Sequence, residues 1–165
     1  MDFISNLIFC YHTIIASEDL LIEAAMRSDG ALEDYFRAHL AEEEGHARWL
    51  AEDLASVGID VEKTRIPVEA VEMVGSVYYM VFHVDPRALL GYMQALEREE
   101  WPLMAQWEAE HPASLLRTLK HHAEHDPAHA RELKRIIATL DAGQQALVEQ
   151  TRQKTVHYLE RALCP

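Results

Sequence analysis

Leu119-Lys120-His121-His122-Ala123-Glu124-His125-Asp126-Pro127-Ala128-His129 places four histidines and two acids within nine positions of one another. His122, Asp126 and His129 follow at spacings of four and then three, which stacks them on a single helical face. Leu115, Leu116 and Leu119 lead into this face, and Leu133, Ile136, Ile137 and Leu140 continue it. Helix propensity alone does not favour so many histidines, so the stretch reads as a ligand-bearing helix in an all-α protein. Pro127 removes a backbone donor and clashes with the carbonyl of Ala123. Either the helix kinks there, or it breaks and Asp126 caps a new helix with Pro127 at its first position. In both cases residues 121–130 are expected to exchange amide protons faster without metal than with it.

Working outward, His39-Leu40-Ala41-Glu42-Glu43-Glu44-Gly45-His46 carries Glu43 and His46 three apart, on neighbouring turns. A hard carboxylate and a borderline imidazole suit iron or manganese. His39 lies seven residues before His46, on the same face. Periodicity predicts a first helix over about Phe3 to Arg27 with Leu7, Tyr11, Ile14, Ile15, Leu21, Ile22 and Ala25 on its packing face. A second covers about Leu32 to Val57, and a third starts near Pro67 with Val71, Val74, Tyr78 and Val81. The fourth runs from Arg87 to about Glu110 and should bend at Pro102. A fifth restarts after His111-Pro112, and the last covers about Gln144 to Leu163. The expectation is a single domain over 1–165, an all-α bundle of six or seven helices.

Composition narrows the function classes. The 28 acidic and 15 basic residues leave a net charge of −13, which repels phosphate backbones and anionic lipid heads, so neither nucleic acid nor a membrane surface is an expected partner. The longest apolar stretch, Val74 to Val84, is too short to span a bilayer. Cys10 and Cys164 make neither a metal spacing nor a disulfide framework, which suits a reducing cytoplasm. The N-terminal Met1-Asp2-Phe3-Ile4 lacks a basic leader pattern. A third metal-binding carboxylate is sought in Leu89-Leu90-Gly91-Tyr92-Met93-Gln94-Ala95-Leu96-Glu97, with Glu99 and Glu100 as alternatives to Glu97.

Taken together, several stretches resemble the haem-oxygenase-like non-haem iron oxidases and oxygenases, a bundle that also hosts metal-free relatives. They are His39-x-x-Glu42-Glu43-x-Gly45-His46, Trp49-Leu50-x-x-Asp53-Leu54, Val74-Gly75-Ser76-x-Tyr78-Tyr79, Leu89-Leu90-Gly91-Tyr92 with Leu96-Glu97, and His122-x-x-x-Asp126-x-x-His129. The resemblance covers about residues 15–140 and implies a haem-oxygenase-like multi-helical bundle. It implies that Glu43, His46 and His122 mainly serve one iron, and Glu97, Asp126 and His129 the other, with a carboxylate bridging. Manganese is an alternative to iron, and one ion or two remains open. Relatives supply a further glutamate from the first helix, where this chain offers Glu18, Glu23, His12 or none, with His39 as a substitute.

The implied activity is dioxygen-dependent oxidation or cleavage of a small amino-acid-like or fatty-acid-like molecule, dioxygen being the co-substrate. Tyr78, Tyr79, Tyr92 and Trp101 are expected pocket walls. The chain is short for the group, which suggests trimmed loops or an oligomer such as a homodimer. Two alternatives are a metal-free thiaminase-like enzyme, for which Cys10 and Cys164 fit poorly by position, and a non-catalytic metal-binding helical protein.

Overall fold

The structure is a computed structural model that describes residues 2–163, so Cys164 lies outside the described residues. Among the described residues eight α-helices follow one another: α1 (Phe3–Met26), α2 (Gly30–Glu43), α3 (His46–Ala55), α4 (Val68–His83), α5 (Ala88–Leu96), α6 (Met104–Glu110), α7 (Arg117–Ala138) and α8 (Ala142–Leu163). Single 3-10 turns at Val61–Lys63 and Ala113–Leu115 join them, and there is no strand among the described residues. The count exceeds the expected six or seven because two long segments are divided.

The expected second helix stops at Glu43 and restarts at His46, with Gly45 between them at φ +92°. Only glycine takes that left-handed conformation at little cost, so this residue makes the joint. The expected fourth helix is likewise two, α5 and α6, separated by an irregular run over 97–103 that includes Pro102. Residue 127 gave the opposite outcome. Pro127 lies inside α7, which is continuous from 117 to 138, so Asp126 is a helical side chain and not a cap. Leu119 and Leu133, buried on either side of the proline, hold both halves against the core.

Helix α1 is the hub, packing on α2, α3, α4, α5 and α8. A larger apolar cluster joins Phe9, Leu20, Phe36, Met73, Leu90 and Leu133, while a smaller one joins Leu7, Leu50, Leu54, Leu115 and Leu116. Helices α5 and α8 pack very closely at Gly91, where an added Cβ would lie 2.1 Å from the carbonyl oxygen of Val148. That approach requires glycine. Ile15, Ile22 and Val71, expected on packing faces, are exposed at 45%, 42% and 57%, so the apolar stripes of α1 and α4 are wider than the surfaces they bury. No described helix is long and apolar enough to cross a membrane.

Candidate metal centre

Four elements deliver acids and imidazoles to one place. The last turns of α2 bring His39, Glu42 and Glu43, and the first residue of α3 is His46. Glu97 follows the end of α5, and α7 contributes His122, Asp126 and His129. The Gly45 joint leaves Glu43 and His46 on different helices, yet Glu43 Oε2 lies 3.1 Å from His46 Nδ1. His122 Nε2 is 4.0 Å from the same carboxylate oxygen. Glu43, His46 and His122 thus form one compact set.

Beside it, His39 Nε2 lies 3.0 Å from Glu97 Oε1 and 4.0 Å from Glu43 Oε1, bridging the two carboxylates. Glu97 Oε2 faces His129 Nδ1 at 3.6 Å, and His129 Nε2 reaches Glu42 at 2.9 Å. His39, Glu42 and His129 make a second compact set, of which Glu42 is mostly exposed. Asp126 sits apart from that set. Its Oδ1 is 3.3 Å from His122 Nδ1, while Oδ2 accepts hydrogen bonds from the Trp101 indole at 3.2 Å and the Arg98 backbone N–H at 3.4 Å.

Of the first-helix residues, Glu18 accepts a 3.3 Å hydrogen bond from the Gly45 N–H, which ties α1 to the joint. Glu23 pairs with Arg27, and His12 packs edge-on against Tyr11; neither belongs to the two compact sets. His121 and His125 stack on each other at 4.1 Å, and His121 lies edge-on to His46, forming an imidazole row that leads outward from the site.

Burial opposes charge on Glu43, but the His46 hydrogen bond and the charges of His122 and His39 outweigh it and hold the carboxyl down at about 2. For Glu97 burial wins: its pKa is raised despite the His39 hydrogen bond and the nearby imidazoles. Burial also works against protonation of His39 and His122, yet their carboxylate partners, Glu97 and Asp126 foremost, leave both raised.

These pairs leave gaps. His122 Nε2, His129 Nδ1 and Glu97 Oε2 are buried without a hydrogen-bond partner. An unpaired buried polar atom is costly, and three in one cluster mark a place for something that binds them. Donor atoms around one metal ion lie roughly 3 to 4 Å from each other when each bond is about 2.1 Å. The spacings here, 3.0 to 4.0 Å, fit that requirement. The donor set, nitrogen with carboxylate oxygen and no sulfur, suits iron or manganese.

The cluster forms one wall of a cavity of about 440 Å³ between the two apolar clusters. His39, Glu43, Glu97, His122 and Asp126 line it, opposite Asn6, Cys10, Thr13 and Ser17 of α1. Tyr92, hydrogen-bonded to Ser17 at 2.8 Å, and Trp101 are walls as expected. Tyr78 and Tyr79 do not line it; Tyr78 stacks on Phe82 and Tyr79 is 63% exposed. Cys10 of α1 also lines the cavity. Sequence reasoning did not find Glu42 as the partner of His129 or Trp101 as that of Asp126, because both contacts join segments far apart in the chain.

No protein-family model matches the chain. No curated protein matches it either. Solved structures do. A domain of unknown function with a heme oxygenase-like fold from Shewanella denitrificans OS217 superposes with a TM-score of 0.82 at 16% identity, covering 97% of this chain and 75% of that one. A TenA homolog from Pseudomonas syringae pv. tomato DC3000 gives 0.78 at 16% identity, covering 96% and 78%. At such identity the likeness speaks for architecture alone, and it agrees with the helix order and packing described above. The chain has the all-α, haem-oxygenase-like fold.

Proposed function

We propose that this protein binds two iron ions, with manganese as a substitute, and uses dioxygen to oxidise or cleave a small organic molecule. One observation carries the reading: His122 Nε2, His129 Nδ1 and Glu97 Oε2 are buried without a hydrogen-bond partner in a carboxylate–imidazole cluster that opens on a cavity. Glu43, His46 and His122 would hold one ion. Glu97 and His129 would hold the other, with His39 in place of a first-helix glutamate and Glu42 or Asp126 completing it. Bound iron would supply electrons for the reduction of dioxygen next to the organic substrate.

The chain's own residues have definable tasks. Trp101 and the Arg98 N–H fix one oxygen of Asp126, so its other oxygen orients the His122 ring. Glu43 stays ionised well below neutral pH and gives a permanent negative charge for a cation. The apolar side of the cavity excludes water from the substrate. The test is anaerobic titration with iron(II), elemental analysis, and oxygen uptake on mixing with air. The reading expects up to two ions per chain, and loss of at least one in His122→Ala. A wild-type chain that retains no iron and consumes no oxygen would end it.

A metal-free thiaminase-like reaction is a second reading, favoured by Cys10 on the cavity wall. Its chemistry is unpromising at rest, since burial pushes the thiol up to about 11 and its neighbour is the Asn6 amide and not a base. Thiamine cleavage that vanishes in Cys10→Ala and ignores chelators would favour it. A homodimer belongs to the main reading, using exposed Ile22 and Met26 on α1 and Val68 and Val71 on α4. Light scattering at the mass of one chain would remove that part.

A further inference from the structure

Among the residues lining the cavity, Arg98 is the one lysine or arginine. Its surroundings are unusual for this chain. Of the ten other arginines, Arg27, Arg37, Arg48, Arg87, Arg117, Arg152 and Arg161 form ion pairs with acids, and Arg65, Arg131 and Arg135 are exposed to solvent. The Arg98 guanidinium has neither an ion pair nor a hydrogen bond among the described residues, although it is half-buried beside acids. Asp126 takes the Arg98 backbone N–H and leaves the side chain unused. The Trp101 ring, 5.7 Å from the guanidinium carbon, supports the side chain by its π-face. Its charge is also felt across the cavity at Cys10, where it opposes the rise of the thiol pKa.

We infer that Arg98 is the anchor for the carboxylate of an organic acid whose apolar body fills the cavity. A guanidinium offers a planar fork of donors that matches a carboxylate with two parallel hydrogen bonds. Phe9, Leu89, Met93, Leu119 and Leu159 supply the apolar surface for the body. A cationic head group would meet like charge at Arg98 and be drawn instead to Glu43, Glu97 and Asp126, so it would not sit on this anchor. A phosphate dianion would be repelled more strongly than a carboxylate by Glu43, Glu97 and Asp126 on the neighbouring wall. Arg98 is thus a specificity-determining residue. The inference deepens the proposed oxidation by naming its substrate class and rests on that reading for the fate of the ligand, though not for its binding.

The test is calorimetric titration of the chelator-stripped full chain with octanoate and phenylpropanoate, each beside its uncharged amide and its amine. The acids should bind about tenfold or more tighter than the amides. Arg98→Gln should reduce that preference to about threefold or less, and Arg98→Lys should keep part of it. Equal binding of acid and amide, no binding of either acid, or an undiminished preference in Arg98→Gln would overturn the assignment. A parallel series with zinc present addresses the rival site. If the acid preference arises only with zinc and survives Arg98→Gln, the anion sits on the metal and Arg98 is not its anchor. Failure of oxygen uptake alongside an intact, Arg98-dependent preference would remove the oxidase reading and leave the anchor standing.

Discussion

Glu43 touches His46 directly and has His39 and His122 within 4.0 Å, so its ionisation is tied to three imidazoles at once. Its carboxyl is held at about 2 against an ordinary value of 4.5. Because the folded value is depressed, ionised Glu43 stabilises the metal-free fold fully above pH 4.5 and loses that contribution as pH falls toward 2. Denaturant melts of wild type and Glu43→Gln should therefore differ most near neutrality and converge across that window. A constant gap would mean that the imidazoles are not the cause. Sequence spacing paired Glu43 with His46 and stacked His122 with Asp126 and His129; only the resemblance to the iron oxidases joined His122 to the first pair. Spacing could not show Trp101 against Asp126, which are 25 residues apart and meet only because the chain turns irregularly over 97–103.

Between elements, Gly91 is where α5 and α8 come closest. A methyl group there would lie 2.1 Å from the Val148 oxygen and 2.8 Å from the Arg152 nitrogen, both backbone atoms. Gly91→Ala should cost about 3 kcal/mol, measured by chemical denaturation, since neither helix can yield locally. A loss under about 1 kcal/mol would show that the pair separates easily. Helix α7 poses the reverse case. Pro127 forfeits one backbone hydrogen bond without ending the helix. Pro127→Ala should raise stability by up to about 3 kcal/mol in the metal-free protein, read from the same melts. An unchanged midpoint would mean the proline ring packs well enough to offset the bond. The sequence could not choose between kink and break because Pro127 acts locally, whereas burial of Leu119 and Leu133 is a tertiary effect. The joint at Gly45 was missed, since an isolated glycine is tolerated in a helical pattern and its left-handed φ is not written in the sequence.

At the scale of the whole molecule, the centre joins α2, α3 and α7 to the segment after α5, elements that otherwise share only part of their surfaces. An ion held by all of them cross-links the bundle. Manganese(II) at about a thousand times its dissociation constant adds about 4 kcal/mol to folding. For a chain of 165 residues that is a rise on the order of 10 °C in melting temperature, measurable by calorimetric scanning. His122→Ala should lose most of the rise, and a wild-type melt indifferent to manganese would leave the cross-link without support. The all-α class was plain from the sequence because helical periodicity extends through nearly every segment. The apolar excess on Ile15, Ile22 and Val71 was not, since periodicity shows a face but not how much of it a neighbour covers.

The indole of Trp101 is bonded to Asp126, Trp107 stands edge-on to it at 6.5 Å, and Trp49 lies 4.7 Å from the His46 ring. These are all three tryptophans of the chain. An open-shell ion settling among those ligands would drain their excited states, so the protein's ultraviolet emission should dim in step with loading, unaided by any dye. A zinc ion, with its filled shell, should leave most of that light intact. The same glow could then follow the arrival of the metal in real time.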